Sequence, residues 1–400
     1  MNRSILVTFT QLPQEPSSGA ARSIRTICEF LASGGWRVQV LGTTATEGDL
    51  RLDAQTWLRS YNIQPEIASG PQSSCVIRFR DRGVEYALLD VGLVHVLEAQ
   101  QSENDVYDQL FDSLLADLRP GILLTYGGWA VDRDRRRRAQ SAGSRVVFTI
   151  RNEAFMQAAN FVHVDAIFSS SAFLTERYRS TIDIDSTPLP VPVSSEEVTS
   201  AYREPIFVTF INPECIKGVA PFARIAEEVS RSHPEIPFLI VKSRAAGETL
   251  TNTGLAGGFD LRCHGNIVLA EPVPEPSRIY GVTRILLVPS LVEAAGRVAA
   301  EALLNGIPVI ASDRGGLAET LHGGGFVLPL PADIDPSGKI PPSAEGMRPW
   351  IDLTIRLMTD DVFYRESACR ARKVGCAYSE ENLASAYCRY FENVLRARRF

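Results

Sequence analysis

Two hydrophobic rhythms alternate along the chain: short, nearly continuous apolar runs, and longer stretches in which apolar residues recur at helical spacing. Ser4–Phe9 (SILVTF) is the first run and predicts a buried strand. Residues 20–33 put Ile24, Ile27, Cys28 and Leu31 on one helical face, and Gly34-Gly35 stops that helix before a strand at 36–41. A strand–helix–strand unit of this kind implies a parallel pair with a right-handed crossover. Residues 75–79 and Val84–Leu89 flank Asp81-Arg82-Gly83 and predict a hairpin. Further strands are expected at Ile122–Thr125, 146–150 and Ala166–Ser169.

The stretch 187–193 (TPLPVPV) is punctuated by proline and 194–204 is polar, which places a domain boundary there. A second alternating set follows, with strands at 206–211, Phe238–Val241, 267–269, 285–288 and 308–311 and helices at about 219–232, 297–305 and 316–322. The tail from Trp350 onward is helical in pattern. The expected division is 1–200, 201–380 and a C-terminal helix at 381–400 packing back on the first domain. The whole is an α/β chain of two doubly wound domains facing across a cleft.

Composition narrows this picture. A chain of 400 residues suits two cores better than one. A net charge of -6 argues against a nucleic-acid binder. Seven scattered cysteines and five dispersed histidines form no metal-binding spacing, so no zinc site is visible; no cofactor is expected, nor a metal, since Lys217 and helix dipoles can serve a diphosphate. The cysteines read as reduced thiols of a cytoplasmic protein. The amino terminus lacks the apolar core of a signal peptide, and no run approaches a membrane span. Arg133 and Arg135 to Arg138 form a basic run. Its plain reading is a solvated helix face; its sharper reading is a patch for anionic headgroups at the inner membrane face or for a phosphorylated acceptor.

The chemistry concentrates in 287–321, LVPSLVEAAGRVAAEALLNGIPVIASDRGGLAETL. A strand ends at Pro289-Ser290, a loop carries Glu293, and Gly296 opens a helix. Helix amino termini at the carboxyl edge of a sheet suit a diphosphate, and Gly296, Gly315 and Gly316 let an anion approach the backbone. Glu301 stands eight residues after Glu293 on an otherwise apolar helix. A carboxylate there can accept both hydroxyl protons of a ribose diol, with Glu293 nearer the hydroxyls of a sugar. A surface glutamate is the plainer reading of Glu301, and the apolar Val298, Ala299, Ala302 and Leu303 speak against it.

The string Pro-Ser-x2-Glu-x2-Gly-Arg-Val-x2-Glu-Ala-x3-Gly-Ile-Pro-Val-Ile-Ala-Ser-Asp-x-Gly-Gly-x2-Glu resembles the Glu-x7-Glu motif of retaining GT-B glycosyltransferases, in particular glycosyltransferase family 4. The resemblance implies two Rossmann-like domains followed by C-terminal helices. It implies that Glu301 holds the ribose, that Glu293 contacts the donor sugar, and that the amides of Ala295, Gly296, Arg297 and Val298 meet phosphates and sugar hydroxyls. In FVTFINPECIKG, Lys217 matches the lysine that neutralises the donor diphosphate in that family. Many members carry an arginine five residues earlier; here Asn212 stands there, as in an Asn-Pro subgroup, and Arg297, Lys242 and Arg244 are the candidate replacements. Asn266 and Ile267 fall where the family packs the base. Gly19 falls in the glycine-containing loop near diphosphate and acceptor. Arg151 and Asn152 stand where many members have a histidine, and are read as acceptor-side or cleft residues that bind a phosphate and sugar hydroxyls. A structural ion pair, with Glu153 or with a residue of the other domain, is the alternative reading of Arg151.

The reaction so implied moves a hexosyl unit from a nucleoside-diphosphate sugar, of UDP or GDP type, to a glycan, lipid-linked or small-molecule hydroxyl, with the anomeric configuration retained. Catalysis rests on Lys217 and Glu293, through positioning and charge stabilisation rather than a protein nucleophile. A nucleotide-sugar epimerase of the same fold and a non-catalytic nucleotide-sugar or glycan-binding module are the rival readings.

Overall fold

The computed structural model describes residues 2–15, 18–47, 53–92, 94–96, 104–243, 248–271, 273 and 275–397. The chain divides into two compact units, 1–192 with 381–400, and 193–380. The division falls after Pro192 rather than at 200. The segment 194–204 looks like a linker by composition, yet Val198 is fully buried. Asn305 accepts from the Ser200 amide at 3.0 Å and donates to the Val198 carbonyl at 3.0 Å. These bonds, and one from the Glu204 amide to the Gly281 carbonyl, fasten the segment to the second unit.

The first unit is built on a nine-stranded sheet, order β3-β4-β5-β2-β1-β6-β7-β8-β9. Its strands are β1 Ser4–Phe9, β2 Arg37–Thr43, β3 Glu66–Ser69, β4 Cys75–Asp81, β5 Val84–Leu89, β6 Ile122–Thr125, β7 Arg145–Ile150, β8 Ala166–Ser169 and β9 Thr187–Pro188. β1 pairs in parallel with β2 on one side and β6 on the other, around the crossover helix Gly19–Ser33. β4 and β5 form an antiparallel hairpin turned by Arg82 and Gly83, both with positive φ (44° and 81°), which matches the twist of a two-residue hairpin. The C-terminal helix Glu380–Arg396 presses an aromatic face onto this sheet: the Phe168 ring lies 5.9 Å from each of Tyr387 and Phe391, and Trp36 lies 6.1 Å from Phe391.

The basic run lies on the helix Ala130–Ser141, and most of it is structural. Arg135 is buried against Asp108 at 2.6 Å and Asp132 at 3.3 Å. Arg136 is fully buried, donates to the Gly127 carbonyl at 3.0 Å, and burial lowers its pKa to about 10. Arg138 pairs with Asp108, Asp112 and Asp134. Of the five, only Arg137 is exposed, and it too pairs with Asp134. Aspartates thus pair with Arg135, Arg137 and Arg138, three of the five arginines of the run. No helix among the described residues is long and apolar enough to cross a membrane.

The second unit carries a six-stranded sheet in which every pair is parallel, order β12-β11-β10-β13-β14-β15. The strands are β10 Phe207–Ile211, β11 Phe238–Val241, β12 Ile267–Ala270, β13 Thr283–Val288, β14 Val309–Ser312 and β15 Phe326–Leu328. The amphipathic helix Val219–Ser232 buries Phe222, Ile225 and Val229 against β10 and β11, with Phe222 stacked on Phe210 at 4.4 Å. Trp350, fully buried, closes the same core from the helix Arg348–Thr359.

Candidate functional site

Strand order decides where each sheet can hold a ligand. In the second unit, β10 leads outward to β11 and β12, while β13 leads the other way to β14 and β15. Open parallel sheets bind ligands at the carboxyl ends of the strands where the order reverses. The loops leaving β10 and β13, 212–218 and 289–296, lie at that point.

These two loops bring Lys217 and Glu293 together: Nζ lies 2.8 Å from Oε2, and the Ser290 hydroxyl lies 3.4 Å from the same oxygen. The pair is partly open to solvent, with 29% and 12% of the two side chains exposed. Backbone contacts hold it in place. The Leu291 amide donates to the Ile216 carbonyl at 2.9 Å, tying loop to loop. Gly218, at φ +87°, sits so close to Pro289 that a Cβ there would meet the carbonyl oxygen at 1.9 Å. Gly315, at φ +63°, does the same for Glu293: a Cβ would meet its carbonyl oxygen at 1.7 Å, and the Gly316 amide donates to that oxygen at 3.0 Å. Gly315 and Gly316 therefore seat the Glu293 loop rather than open the backbone to an anion. Gly296 is packed as well, since a Cβ there would meet Leu317 at 2.5 Å.

Glu301 lies on the helix Arg297–Leu304, which starts at this loop. Its side chain is 1% exposed. Oε1 accepts from Arg297 Nε at 2.8 Å and Oε2 from the Tyr280 hydroxyl at 2.5 Å. The expected ribose acceptor is thus enclosed by an arginine and a tyrosine. Sequence reasoning missed Tyr280, whose only signal was that a buried tyrosine hydroxyl needs a partner. Ala295 is buried, its carbonyl accepting from Thr320; Val298 is half-buried on the first helical turn. Asn212 follows β10 in the left-handed region (φ 64°), which asparagine tolerates, and its Oδ1 has no hydrogen-bond partner among the described residues.

Asn266 and Ile267 are not at this site. β11 and β12 pair in the register Phe238↔Ile267 to Val241↔Ala270, so Ile267 begins its strand at the amino edge of the sheet. The Asn266 side chain donates to the Ile236 carbonyl at 2.7 Å, and its carbonyl accepts from the Phe238 amide. A strand of this length spans about 13 Å, which separates Asn266 from the carboxyl edge. The residue at that edge of β12 is Glu271, which accepts from Lys242 at 2.5 Å. Arg244 lies outside the described residues.

In the first unit the order reverses at β1, between β2 and β6. Gly19 opens the helix after β1, capped by Ser18 Oγ, which accepts from the Ala21 amide at 3.2 Å. Gln14 in the same connection is buried, with both side-chain amide atoms lacking a partner among the described residues. Tyr126 follows β6, and its hydroxyl oxygen accepts from Asn152 Nδ2 at 3.3 Å. Arg151 and Asn152 follow β7. Glu153 pairs with Arg177 at 3.0 Å and not with Arg151. Both terminal nitrogens of Arg151 lack hydrogen-bond partners among the described residues. The Asn152 backbone is held by Tyr178, whose hydroxyl donates to its carbonyl at 2.8 Å.

Comparison with known proteins agrees with this architecture. Residues 205–335 match the family model described as Glycosyl transferases group 1. Among curated protein sequences none matches the chain. Solved structures match along its full length: sucrose-phosphate synthase from Thermosynechococcus elongatus (TM-score 0.69, 15% identity, 99% of this chain and 100% of that one). A glycosyltransferase from Rickettsia africae follows (0.67, 13%, 100% and 100%). The pneumococcal O-GlcNAc transferase GtfA, solved with UDP and GlcNAc, also matches (0.66, 11%, 98% and 99%). The fold is GT-B, with two Rossmann-like domains.

Proposed function

We propose that this chain is a retaining glycosyltransferase that moves a hexosyl unit from a UDP- or GDP-type sugar to an acceptor hydroxyl of a glycan, a lipid-linked saccharide or a small molecule. The observation that carries the reading is the Lys217–Glu293 pair at the β10/β13 reversal, 2.8 Å apart, inside the segment that matches the group 1 family. In this reading the bond from the anomeric carbon to the diphosphate breaks while the bond to the acceptor oxygen forms. The acceptor proton passes to a diphosphate oxygen. Lys217 stabilises charge that grows on the leaving diphosphate, which is where a preformed cation lowers a barrier most. Glu293 accepts from sugar hydroxyls and Glu301 from the ribose diol. Arg151 and Asn152 serve the acceptor, and the loop before Gly19 borders it.

The test is incubation of the purified chain with UDP-, GDP- and ADP-hexoses, with proton NMR following the released nucleotide and the anomer first formed. Release of nucleoside diphosphate together with an α-configured product from an α-configured donor supports the reading. An inverted product overturns the stereochemistry. An epimerised donor with no nucleotide released replaces transfer by epimerisation. Tight donor binding with no turnover on any acceptor leaves a binding module.

A further inference from the structure

Asn212 leaves the donor diphosphate one cation short of the lysine-and-arginine pair that the resemblance leads one to expect, and the resting contacts of the second unit point to the replacement. Resting on the donor-site reading above, we propose that Arg297 is the second diphosphate cation, held in reserve by Glu301 and released when a ribose takes that carboxylate, while Tyr280 keeps Glu301 oriented throughout.

Arg297 sits where a cation is out of place. It is the first residue of the helix Arg297–Leu304, whose first turn holds no acidic residue. The amino end of a helix carries positive dipole charge, so a cation there is unfavourable, and Arg preceding Glu at four residues is the weaker order for a helical ion pair. The helix Asp361–Gly375 in the same unit follows the usual rule, with Asp361 in its first turn and Arg372 and Lys373 in its last. An arginine in the wrong place for stability is in the right place for an anion, because dipole and guanidinium then act on the same ligand.

Glu301 is enclosed. A carboxylate with 1% exposure cannot meet a ribose while Arg297 Nε sits on Oε1. Both oxygens are covered at rest, and of the two covering groups Arg297 opens its helix at the loop that follows β13, whereas Tyr280 lies on the helix Pro276–Val282 that precedes that strand. In this reading donor binding displaces Arg297, the group at the loop, and a guanidinium with only 11% of its side chain exposed must find another anion when it leaves. The incoming diphosphate is that anion. The exchange keeps charge balanced: Glu301 turns to neutral hydroxyls and Arg297 to phosphate oxygens.

Arg297 belongs to the connection leaving β13, beside Glu293 and at the strand-order reversal, whereas Lys242 follows β11, one strand farther out, and is already bound to Glu271.

Calorimetry on the full chain tests the exchange with UDP, GDP, ADP, the corresponding nucleosides and inorganic pyrophosphate. The two sides of the Arg297–Glu301 pair should move pyrophosphate affinity in opposite directions. Arg297→Gln, which can still donate to Glu301, should weaken the bound nucleoside diphosphate and pyrophosphate by about tenfold or more and leave the nucleoside unchanged or tighter. Glu301→Gln should weaken the nucleoside yet tighten pyrophosphate, because Arg297 is no longer held back. Arg297→Gln weakening nucleoside and diphosphate by one common factor makes Arg297 structural and overturns the proposal. Unchanged pyrophosphate affinity in Glu301→Gln also overturns it, and this readout decides if Arg297→Gln does not fold. Failure of the wild-type chain to bind any of the three nucleoside diphosphates removes the donor reading itself, and the exchange with it.

Discussion

The two strand-order reversals of this molecule are built from the same topology and carry opposite electrostatic designs. At the β10/β13 reversal every cation described has a carboxylate: Lys217 has Glu293, Arg297 has Glu301, and Lys242 one strand away has Glu271. In the first unit, the arginine at the carboxyl end of β7 has no hydrogen-bond partner on either terminal nitrogen among the described residues, and buried Gln14 after β1 has none on its amide. Paired charges are compensated within the resting protein and exchange partners when a ligand arrives. An arginine without a hydrogen-bonded anion is positioned for one that comes from outside the unit. Under the proposed function this difference is a division of labour, in which one edge trades internal bonds for donor bonds and the other receives its ligand.

The strongest way to break that comparison is Lys217→Ala. If the pair at the β10/β13 reversal is the leaving-group cation and its holder, kcat should fall by about 10²–10³-fold, more than the donor KM rises, since the charge it stabilises grows in the transition state. Arginine at that position should rescue only part of the loss, because the two cations differ in shape and reach. Steady-state kinetics of nucleotide release check this, and a mutant with wild-type turnover would move the catalytic charge to Arg297 alone.

Next in size is Arg151→Ala. If its unpaired guanidinium orients the acceptor, transfer should fall by ~10²-fold while affinity for the free nucleoside diphosphate stays near wild type, because orientation and not donor binding is lost. The melting temperature should also stay close to wild type, since the terminal nitrogens make no hydrogen bond that the mutation removes. Early unfolding combined with normal transfer at low temperature would make Arg151 structural and erase the contrast between the two edges.

How much of this was legible beforehand differs between fold and site for physical reasons. Strands with continuous apolar runs, such as Ser4–Phe9, Ile122–Thr125, Ala166–Ser169 and Phe238–Val241, were read to the residue because burial on both faces leaves no other pattern. β3 Glu66–Ser69 was missed because an edge strand with exposed residues carries no such run, and β15 Phe326–Leu328 because it is only three residues long. The Glu293 loop could be read from its motif. The end of β12 that Asn266 occupies could be read too, since it precedes the strand expected at 267–269 and a parallel sheet puts strand starts at the amino edge; the family motif drew attention away from that order. The internal pairing of the basic run was illegible for another reason. Asp108 and Asp112, which neutralise Arg135 and Arg138, lie on a neighbouring helix more than twenty residues earlier.

A smaller effect sharpens the donor side. Glu301→Ala should weaken binding of the nucleoside alone by at least about tenfold, since hydrogen bonds to a charged group contribute roughly 1.5–3 kcal/mol each. The nucleoside is the informative ligand here because it lacks phosphates, so the arginine freed by the mutation cannot offset the loss. Calorimetry showing unchanged nucleoside affinity would mean that the enclosed carboxylate serves only Arg297 and Tyr280.

The smallest expected effect separates the two remaining cations. Lys242 and Arg297 are each bonded to one carboxylate, so a resting inventory treats them alike. Their surroundings do not. Glu271 is 74% exposed, whereas Glu301 is 1% exposed. An exposed ion pair is screened by water and contributes about 0–1 kcal/mol, so nothing forces Lys242 to seek a new anion when its partner is disturbed. A guanidinium bonded to a buried carboxylate has no such freedom. Strand order separates them too, because Lys242 leaves β11 and not one of the two strands at the reversal. Lys242→Ala should therefore change nucleoside diphosphate affinity by less than about threefold and leave the melting temperature nearly unmoved. A loss of tenfold or more in calorimetry would place the diphosphate over β11 instead and assign to Lys242 the part argued here for Arg297.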